Sequence, residues 1–470
     1  MVDTRTETDA LGSLQVPKKS YYGIQTLRAL ENFPMTTYAL DDDFINGLAM
    51  VKKASAIANY DTGSLDQSIK EAVVQACDEI LDGKMHDQFV VDPIQGGAGT
   101  SINMNTNEVI ANRGLEILGE ERGKYSILSP NSHVNLAQST NDVVPTAFRI
   151  TVLTKLDQLI VSFEDLKESF NHKAEEFDSL VKMGRTHLQD AIPIRLGQEF
   201  AAYGSAVDRS LQRFIKLKEN LVSVNMGATA VGTGLNASED YIERVIDELA
   251  AVSNFPISLA DSLVDATQNT EFYSDISSAL KTSMLSLSKI ANDIRLMASG
   301  PRTGLNEINL PQRQPGSSIM PGKVNPVMPE LINQLSFQVC GNDTTVSMAV
   351  EAGQFELNVM GPVIFHNILE SLTLMINGSR VFKEYCIDGI TANSDTMEDY
   401  VNQSVGIITA INPHVGYEKA SAVAKKALES GRSVRDITLE ENILSEQQLD
   451  QLLDPFAMTS PGIIELTQDE

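Results

Sequence analysis

The chain has 470 residues, of which 42% are apolar, and its formal net charge is −27 at pH 7. This length supports two or three domains with a sizeable core. The large excess of acidic side chains argues against a nucleic acid as a partner, because the phosphates would be repelled. An anionic substrate would need positive charge that the site itself supplies.

The cysteines and the apolar segments indicate the cellular compartment in which we expect the protein. The three cysteines, Cys77, Cys340 and Cys386, lie far apart and form no CxxC pair. This spacing argues against a zinc site or a disulfide framework and suits a reducing cytoplasm. The first residues contain no apolar segment typical of a secretory signal, and no apolar run is long enough to span a bilayer. We therefore expect a cytoplasmic protein without a membrane partner.

Residues 1–140 are predicted to form a mixed, mainly helical N-terminal domain. Within them, residues 95–100 read QGGAGT, a glycine-rich turn that ends at Thr100. A glycine cluster alone is weak evidence for a dinucleotide site, and no alternating strand–helix pattern follows it. It can also be a plain turn. We favour a loop that presents backbone N–H groups and the Thr100 hydroxyl to a carboxylate.

Three polar residues, Ser139, Thr140 and Asn141, stand together just before a helical pattern. Such residues are good N-caps, which is the structural interpretation. A helix N-terminus also attracts anions through its free N–H groups and its dipole. One residue can cap the helix while its neighbours face a ligand.

Long helical stretches dominate the middle of the chain. Residues 146–183 contain neither Gly nor Pro and show helical periodicity, which predicts a rod of roughly 55 Å. Further helical stretches are expected at 257–299, 329–350 and about 362–384. Several rods of this length imply a helical bundle. We assign residues 141–396 to a central helical-bundle domain and the more charged residues 397–470 to a small helical C-terminal domain.

A polar turn is predicted at residues 183–190, which read MGRTHLQD. A lone histidine is more often structural than catalytic. His187, however, is one of only six histidines and follows Thr186 in a turn expected between long helices. This setting makes both residues candidates for a site.

Residues 316–330 read GSSIMPGKVNPVMPE and predict a loop that can approach a ligand closely. The spacing of Gly316 and Gly322 does not fit a phosphate loop, and Val324 rather than Ser or Thr follows Lys323. An ATP site is therefore rejected. Ser317 becomes a candidate for chemistry, and Lys323 and Asn325 can hold a carboxylate.

This loop resembles the signature of the fumarase/aspartase superfamily, and further similar motifs follow the expected order along the whole chain. The resemblance implies a mainly α, fumarase/aspartase-like fold, with a long-helix bundle as central domain and smaller N- and C-terminal domains. The sequence QSTND at 138–142 and the presence of Arg149 favour the aspartase branch over class II fumarases. Gln25, Ser129 and Ser132 depart from residues common in the superfamily, at positions to which no chemistry is assigned.

The resemblance also implies roles for the candidate residues. Ser317 would act as the base, with His187 and Lys323 as further catalytic residues. Glu330 would support His187 by orienting or polarising it. The substrate-binding residues implied by the resemblance are Thr100, Ser139, Thr140, Asn141, Thr186, His187, Ser318, Lys323 and Asn325.

The implied reaction is the reversible deamination of L-aspartate to fumarate and ammonia, through an aci-carboxylate intermediate. The resemblance implies no metal and no cofactor. It implies a homotetramer with composite active sites. Two alternatives stay open: a class II fumarate hydratase, and a noncatalytic superfamily member, although retention of Ser317, Lys323, Asn325 and the Thr186–His187 pair argues against the latter.

Overall fold

The computed structural model describes residues 3–466, and these residues form two compact units. Unit 1 contains the described residues up to Val161 together with Gln212–Thr282 and Phe337–Ile376. Unit 2 contains Ser162–Leu211, Ser283–Ser336 and the described residues from Asn377 onward. The boundary between the units falls inside each of the five longest helices of the described chain, so each unit holds part of every one.

Helices make up most of both units. In chain order they are α1 Ile24–Asn32, α2 Asp42–Asp61, α3 Gln67–Leu81, α4 Thr100–Ile117, α5 Thr140–Glu176, α6 Leu196–Leu221, α7 Glu239–Ser253, α8 Leu263–Gln268, α9 Glu271–Met297, α10 Val327–Glu351, α11 Gly361–Tyr385, α12 Ser394–Gln403, α13 Ile408–Val415, α14 Tyr417–Ser430, α15 Val434–Glu440 and α16 Glu446–Leu452. Within residues 3–466 no helix is both long enough and apolar enough to cross a bilayer.

The strands are short and pair two by two. They are β1 Thr4–Asp9, β2 Gly12–Pro17, β3 Val181–Thr186, β4 Gln189–Arg195, β5 Ser223–Val224, β6 Ser258–Leu259, β7 Ile308–Asn309 and β8 Thr391–Ala392. The pairs β1–β2, β3–β4 and β7–β8 are antiparallel, whereas β5–β6 is parallel. In the β3–β4 hairpin Val181 pairs with Arg195, and the pairing register shifts between Met183 and Arg185.

Each unit has its own aromatic core on the long helices. In unit 1, Phe148 of α5 stacks on Phe365 of α11 with ring centroids 4.1 Å apart, and Tyr273 of α9 meets both edge-on. In unit 2, Phe170 of α5 packs against Phe200 of α6 at 6.3 Å. Fully buried aromatic side chains of this kind contribute about 1.5–3 kcal/mol each to folding.

Two of the four predicted helical stretches agree closely with the structure, and two need correction. Helices α10 and α11 lie within two residues of the predicted bounds. Helix α5 begins earlier, at Thr140, and ends at Glu176, because the chain then turns into β3. Helix α9 begins only at Glu271, since the preceding residues form β6 and the separate helix α8, which Ser262 caps.

Helix α6 was not predicted from the sequence, and two glycines allow its close approach to α5 in unit 2. A Cβ atom on Gly197 would lie 2.4 Å from the carbonyl oxygen of Ala174. A Cβ atom on Gly204 would lie 2.5 Å from Asn171 Oδ1. The Gly197 contact is with backbone and requires glycine, whereas a side chain at position 204 would have to displace the Asn171 side chain.

The final helices of unit 2 enclose an apolar cluster of their own. Its buried members are Val401, Ile407, Ile411, Val423, Ala427, Val434, Ile437 and Leu449. Residues 397–466 are thus mainly helical, as the sequence predicts. The division into domains at 140 and 396 stays a prediction.

Candidate active site

The N-terminus of α5, in unit 1, carries Ser139, Thr140 and Asn141. Ser139 Oγ accepts the N–H of Asn141 at 3.2 Å, and the Asp142 carboxylate accepts the N–H of Ser139 at 2.9 Å. Asn141 Nδ2 donates to the carbonyl oxygen of Ala230 at 2.7 Å. Among the described residues no donor reaches Asn141 Oδ1, so this oxygen can accept from an ammonium group. Ser139 therefore caps the helix, and Asn141 beside it is half-buried with its side-chain oxygen available.

The glycine-rich turn places Thr100 beside this helix start. Residues 97–99 all have left-handed backbone angles, with φ of 93°, 59° and 95°. Gly99 packs against α5, because a Cβ atom there would lie 3.2 Å from Val144 Cγ1. One turn into α4, Asn103 Nδ2 donates to Thr140 Oγ1 at 3.3 Å. Unit 1 thus brings Thr100 onto a segment that adjoins Ser139, Thr140 and Asn141.

A second turn of unit 1, residues 225–230, is bonded to the same helix start. Pro145 lacks an N–H and cannot donate to the carbonyl of Asn141 one turn earlier. That carbonyl instead accepts from Asn225 Nδ2 at 3.0 Å. The backbone N–H of Thr229 donates to Asp142 Oδ2 at 2.9 Å. Sequence reasoning missed Asn225, although a proline near a helix start is a signal that an earlier carbonyl needs another donor.

Two oppositely charged side chains are fully buried behind this helix start. Lys52 Nζ donates to Asn135 Oδ1 at 3.0 Å and to Gln138 Oε1 at 2.9 Å. Burial lowers the pKa of Lys52, and the nearby Asp142 carboxylate opposes that shift. Burial raises the pKa of Asp142, and the backbone N–H groups of Ser139 and Thr229 oppose it.

Sequence reasoning also missed Lys52. The available signal was its position on α2, where it shares a helix face with Leu48, Ser55, Ala56 and Asn59. All four of these side chains are buried, so a lysine at this position had to be buried as well.

In unit 2, Thr186 and His187 lie in a turn between the long helices α5 and α6, as predicted, and this turn is the tip of the β3–β4 hairpin. Thr186 pairs with Gln189, and the two residues between them, His187 and Leu188, have φ of 53° and 60°. Two left-handed residues in succession are typical of a tight hairpin turn, usually formed by Asn or Gly. Both candidate side chains are exposed.

The loop of residues 316–326, also in unit 2, is closed by its own hydrogen bonds. The Gly316 N–H donates to the carbonyl of Lys323 at 2.7 Å, and Asn325 Nδ2 donates to the carbonyl of Gly316 at 2.8 Å. A Cβ atom at position 316 would lie 2.5 Å from that Lys323 oxygen, so this crossing requires glycine. Asn325 therefore braces the loop here, in addition to its predicted contact with substrate.

Ser317 lies at the centre of this loop. Its Oγ accepts the backbone N–H groups of Ile319 at 3.2 Å and Met320 at 3.1 Å. Donors to an oxygen stabilise its anionic form, so they favour loss of the hydroxyl proton. Ser317 is half-buried, whereas Ser318 and Lys323 are exposed. The two N–H groups can therefore support a serine oxyanion in a loop that also carries an exposed cation.

The candidate residues are thus divided between the units. Unit 1 holds Thr100, Ser139, Thr140 and Asn141. Unit 2 holds Thr186, His187, Ser317, Ser318, Lys323, Asn325 and Glu330. Glu330 lies in the first turn of α10, and within residues 3–466 it forms no hydrogen bond with His187. The same described range contains no group of three or more His, Cys, Asp or Glu placed to hold a metal ion.

Comparison with known proteins places this helical architecture in a family. The family described as "Lyase" matches residues 12–341, and one described as "Fumarase C C-terminus" matches residues 407–460. The chain therefore belongs to this lyase family, whose members include fumarases and aspartases. The predicted fold class and superfamily are confirmed.

The similar proteins include an aspartate ammonia-lyase and two solved structures from the wider family. The aspartate ammonia-lyase of Bacillus subtilis (strain 168) is 59% identical over 459 residues, covering 98% of this chain and 97% of the relative. A solved fumarate lyase:delta crystallin from Brucella melitensis, bound to cobalt, is 47% identical with a TM-score of 0.95, covering 98% and 100% of the two chains. A recombinant class II fumarase from Schistosoma mansoni is 32% identical with a TM-score of 0.93, covering 97% and 99%. The predicted resemblance to the aspartase branch is confirmed.

Proposed function

We propose that the chain is a carbon–nitrogen lyase that converts L-aspartate reversibly to fumarate and ammonia. The relatives named aspartate ammonia-lyase support this reaction across nearly the whole chain. The observation that carries the chemistry is Ser317 Oγ, which accepts two backbone N–H groups of its own loop. The two donors make this hydroxyl easier to deprotonate, and a positioned alkoxide can act as a general base toward a C–H bond.

The first step removes the proton from Cβ of aspartate. The Ser317 oxyanion takes this proton, and the electrons of the broken C–H bond move into the neighbouring β-carboxylate, which becomes a dianionic aci-carboxylate. Thr100, Ser139, Thr140 and Ser318 would donate to its oxygens. In comparable sites each such donor contributes about 3–4 kcal/mol to the transition state.

The second step breaks the Cα–N bond. The aci-carboxylate returns its electrons to form the double bond, and the protonated amino group (–NH₃⁺) leaves as ammonia with the electron pair of the C–N bond. Asn141, through its available Oδ1, and His187 would hold the amino group, while Thr186, Lys323 and Asn325 would hold the α-carboxylate. Lys323 supplies positive charge that a chain of net charge −27 must place locally. The proton on Ser317 then passes to solvent.

A turnover assay tests the proposed substrate. Purified protein should release fumarate and ammonia from L-aspartate, followed by the ultraviolet absorbance of fumarate, and should run the reverse reaction. L-Malate is the matched control, because it carries a hydroxyl in place of the amino group. Faster turnover of malate would assign the chain to the fumarase branch, and turnover of neither would favour a noncatalytic member.

The proposal extends to a homotetramer. On α10 the exposed residues Gln334, Phe337, Gly341, Thr344 and Met348 recur at alternating steps of three and four. This spacing is that of a helix face that packs along another helix. Phe337 is 68% exposed and Met348 is 70% exposed, so the face is available to further copies of the chain.

Assembly of this kind would create composite active sites. Within residues 3–466 no hydrogen bond or ion pair joins His187 to Ser317, Lys323 or Glu330, which supports contributions from different copies. A closed arrangement with D₂ symmetry would bring the motifs of neighbouring copies together. Glu330 of one copy would then be free to orient His187 of another.

Complementation tests the composite sites. Inactive Ser317→Ala and His187→Ala chains are mixed, dissociated and reassembled, and tetramer formation is verified by light scattering. Mixed tetramers should contain some sites free of both substitutions and should regain part of the activity. Each variant reassembled alone is the control. No recovery in verified mixed tetramers would show that each chain builds its own site.

The proposal also includes a cytoplasmic location, which the state of the cysteines supports. Cys77, Cys340 and Cys386 are all free, and the first and third are buried. Burial raises the pKa of the Cys386 thiol to about 12, which keeps it protonated and unreactive. Free, unreactive thiols are consistent with the proposed cytoplasmic location.

A further inference from the structure

A cluster of four charged side chains lies under the β3–β4 hairpin of unit 2. Lys182 and Arg185 belong to β3, Glu199 to the first turn of α6, and Glu307 immediately precedes β7. Lys182 Nζ lies 2.9 Å from Glu307 Oε2 and 3.0 Å from Glu199 Oε2, and Arg185 Nη1 lies 2.7 Å from Glu307 Oε1. The side chain of Glu307 is 0% exposed and that of Lys182 is 4% exposed. The formal charges cancel.

Such a buried cluster contributes little to the free energy of folding. Removing charges from water largely offsets their mutual attraction, so a buried ion pair adds little net stability over apolar side chains of similar size. Charge-assisted hydrogen bonds, however, are short and directional, so they fix the groups that they join. The cluster is therefore better suited to setting a geometry than to increasing stability.

The backbone around Glu307 is itself fixed. Its N–H donates to the carbonyl of Met297 at the end of α9 at 2.9 Å. Its own carbonyl accepts the N–H of Asn393 at the same distance, next to β8. The backbone of Glu307 is thus hydrogen-bonded through both its N–H and its carbonyl. Its carboxylate contacts two cations of strand β3, Lys182 and Arg185.

A second set of contacts holds the same hairpin. The Tyr400 ring of α12 lies 5.6 Å from the Arg185 guanidinium, and its hydroxyl donates to the carbonyl of Leu305 at 3.1 Å. Ser404 Oγ donates to Asp190 Oδ2 at 2.9 Å on the opposite strand. The tip between these strands, by contrast, is exposed. The hairpin is therefore restrained at its base while Thr186 and His187 project from it.

We propose that Glu307 is a positioning residue for Thr186 and His187. Its carboxylate holds Arg185, the residue that immediately precedes Thr186, and so sets where the hairpin presents the two side chains that bind substrate. The inference rests on the proposed role of these two residues in binding aspartate. It assigns a function to the sequence PRTGLNEINLP at 301–311, which the reaction steps leave unused.

The test is Glu307→Gln in the full-length protein. The amide has the same shape but carries no charge and turns an N–H group toward one of the cations. We expect kcat/KM for L-aspartate to fall about 100-fold, since misplacement of about 1 Å produces losses of that order. Hydrogen–deuterium exchange of residues 183–190 should become faster. Glu307→Asp keeps the charge and should recover part of both losses.

Two controls separate positioning from general destabilisation. Asp208→Asn removes the carboxylate that Lys167 binds at 2.9 Å in the same unit, away from the hairpin. Leu249→Ala truncates a buried side chain of α7 in unit 1 and provides a variant of lowered melting temperature. Both should keep wild-type exchange in residues 183–190 and nearly wild-type kcat/KM.

The outcomes are distinguishable. If wild-type protein does not convert aspartate, the proposed function fails, whereas the exchange measurement still tests whether Glu307 fixes the hairpin. If a folded Glu307→Gln variant keeps wild-type exchange and kcat/KM, the inference is overturned. It is also overturned if that variant changes them no more than Leu249→Ala does at equal melting temperature. Should Glu307→Gln not fold, Arg185→Met replaces it, because it leaves the Lys182–Glu307 pair intact; Arg185→Met with wild-type exchange and kcat/KM would likewise overturn it.

Discussion

In unit 1 the candidate residues are half-buried or adjoin buried groups and are hydrogen-bonded to their own scaffold, whereas in unit 2 most of them are exposed on a hairpin tip and a loop. Asn141 is bonded to the turn at 225–230 through both its side chain and its carbonyl. Lys323 and His187 have exposed side chains. The candidate side chains of unit 1 are therefore held by neighbouring turns, whereas most of those in unit 2 face solvent.

The largest expected effect is on Ser317. Ser317→Ala removes the base and should lower kcat for L-aspartate about 10³-fold or more, with little change in melting temperature. Ser318→Ala is the matched neighbour and should cost less, because it removes one carboxylate donor among several. Steady-state kinetics and thermal melts measure both. A near-normal kcat in Ser317→Ala would remove Ser317 as the base.

Lys323→Met should give the next largest loss. Hydrogen bonds to charged groups contribute about 1.5–3 kcal/mol, so kcat/KM should fall about 10- to 100-fold. The melting temperature should stay unchanged, because the side chain is exposed. Lys323→Arg keeps the charge and should recover part of the activity. Equal losses in both variants would show that charge is not what Lys323 supplies.

Asp142→Asn tests whether the buried carboxylate of unit 1 supports both stability and activity. The amide N–H₂ would face the N–H of either Ser139 or Thr229, both of which donate to the carboxylate at 2.9 Å. Leaving a buried donor unpaired should lower the free energy of unfolding by about 1–3 kcal/mol. Unlike Lys323→Met, this variant should lose stability and activity together, as denaturant titration and kinetics would reveal. Loss of activity alone would show that this carboxylate does not support stability.

The smallest expected effect concerns Asn225. Asn225→Ala leaves the Asn141 carbonyl without its donor and should cost about 1 kcal/mol in the free energy of unfolding. Adding Pro145→Ala restores an N–H one turn along α5 and should recover part of that loss. Denaturant titration of the single and double variants measures this. No recovery would mean that the proline does not create the need for Asn225.

The sequence predicts the helices best where they are bounded locally. Helices α10 and α11 begin beside prolines at 329 and 362, and their bounds follow from periodicity. Residues 257–270 contain no Gly or Pro, yet they do not belong to helix α9. Ser258 and Leu259 instead pair with strand β5, which lies far away in sequence. Such pairing depends on tertiary contacts that no local pattern records.

The candidate site shows the same limit. The motifs at 139–141 and 316–326 were recognisable because their residue types carry the chemistry. The hairpin was not recognisable from the sequence. His187 and Leu188 adopt left-handed backbone angles, which are uncommon for residues other than glycine. Local patterns indicate that Lys52 is buried and that a carbonyl before Pro145 needs a donor. The partners of Lys52, Asn225 and Glu307 lie far away in sequence, so they are identified only once the chain is folded.

The closed loop around Ser317 has a consequence for reactivity outside catalysis. The two N–H groups that bind Ser317 Oγ come from Ile319 and Met320 of the same chain. These two donors are therefore present within a single copy, before assembly and before substrate binds. A dissociated chain that has lost all turnover should still react at Ser317 with an acylating or phosphonylating reagent, so covalent labelling would report whether the loop is folded when no activity remains to be measured.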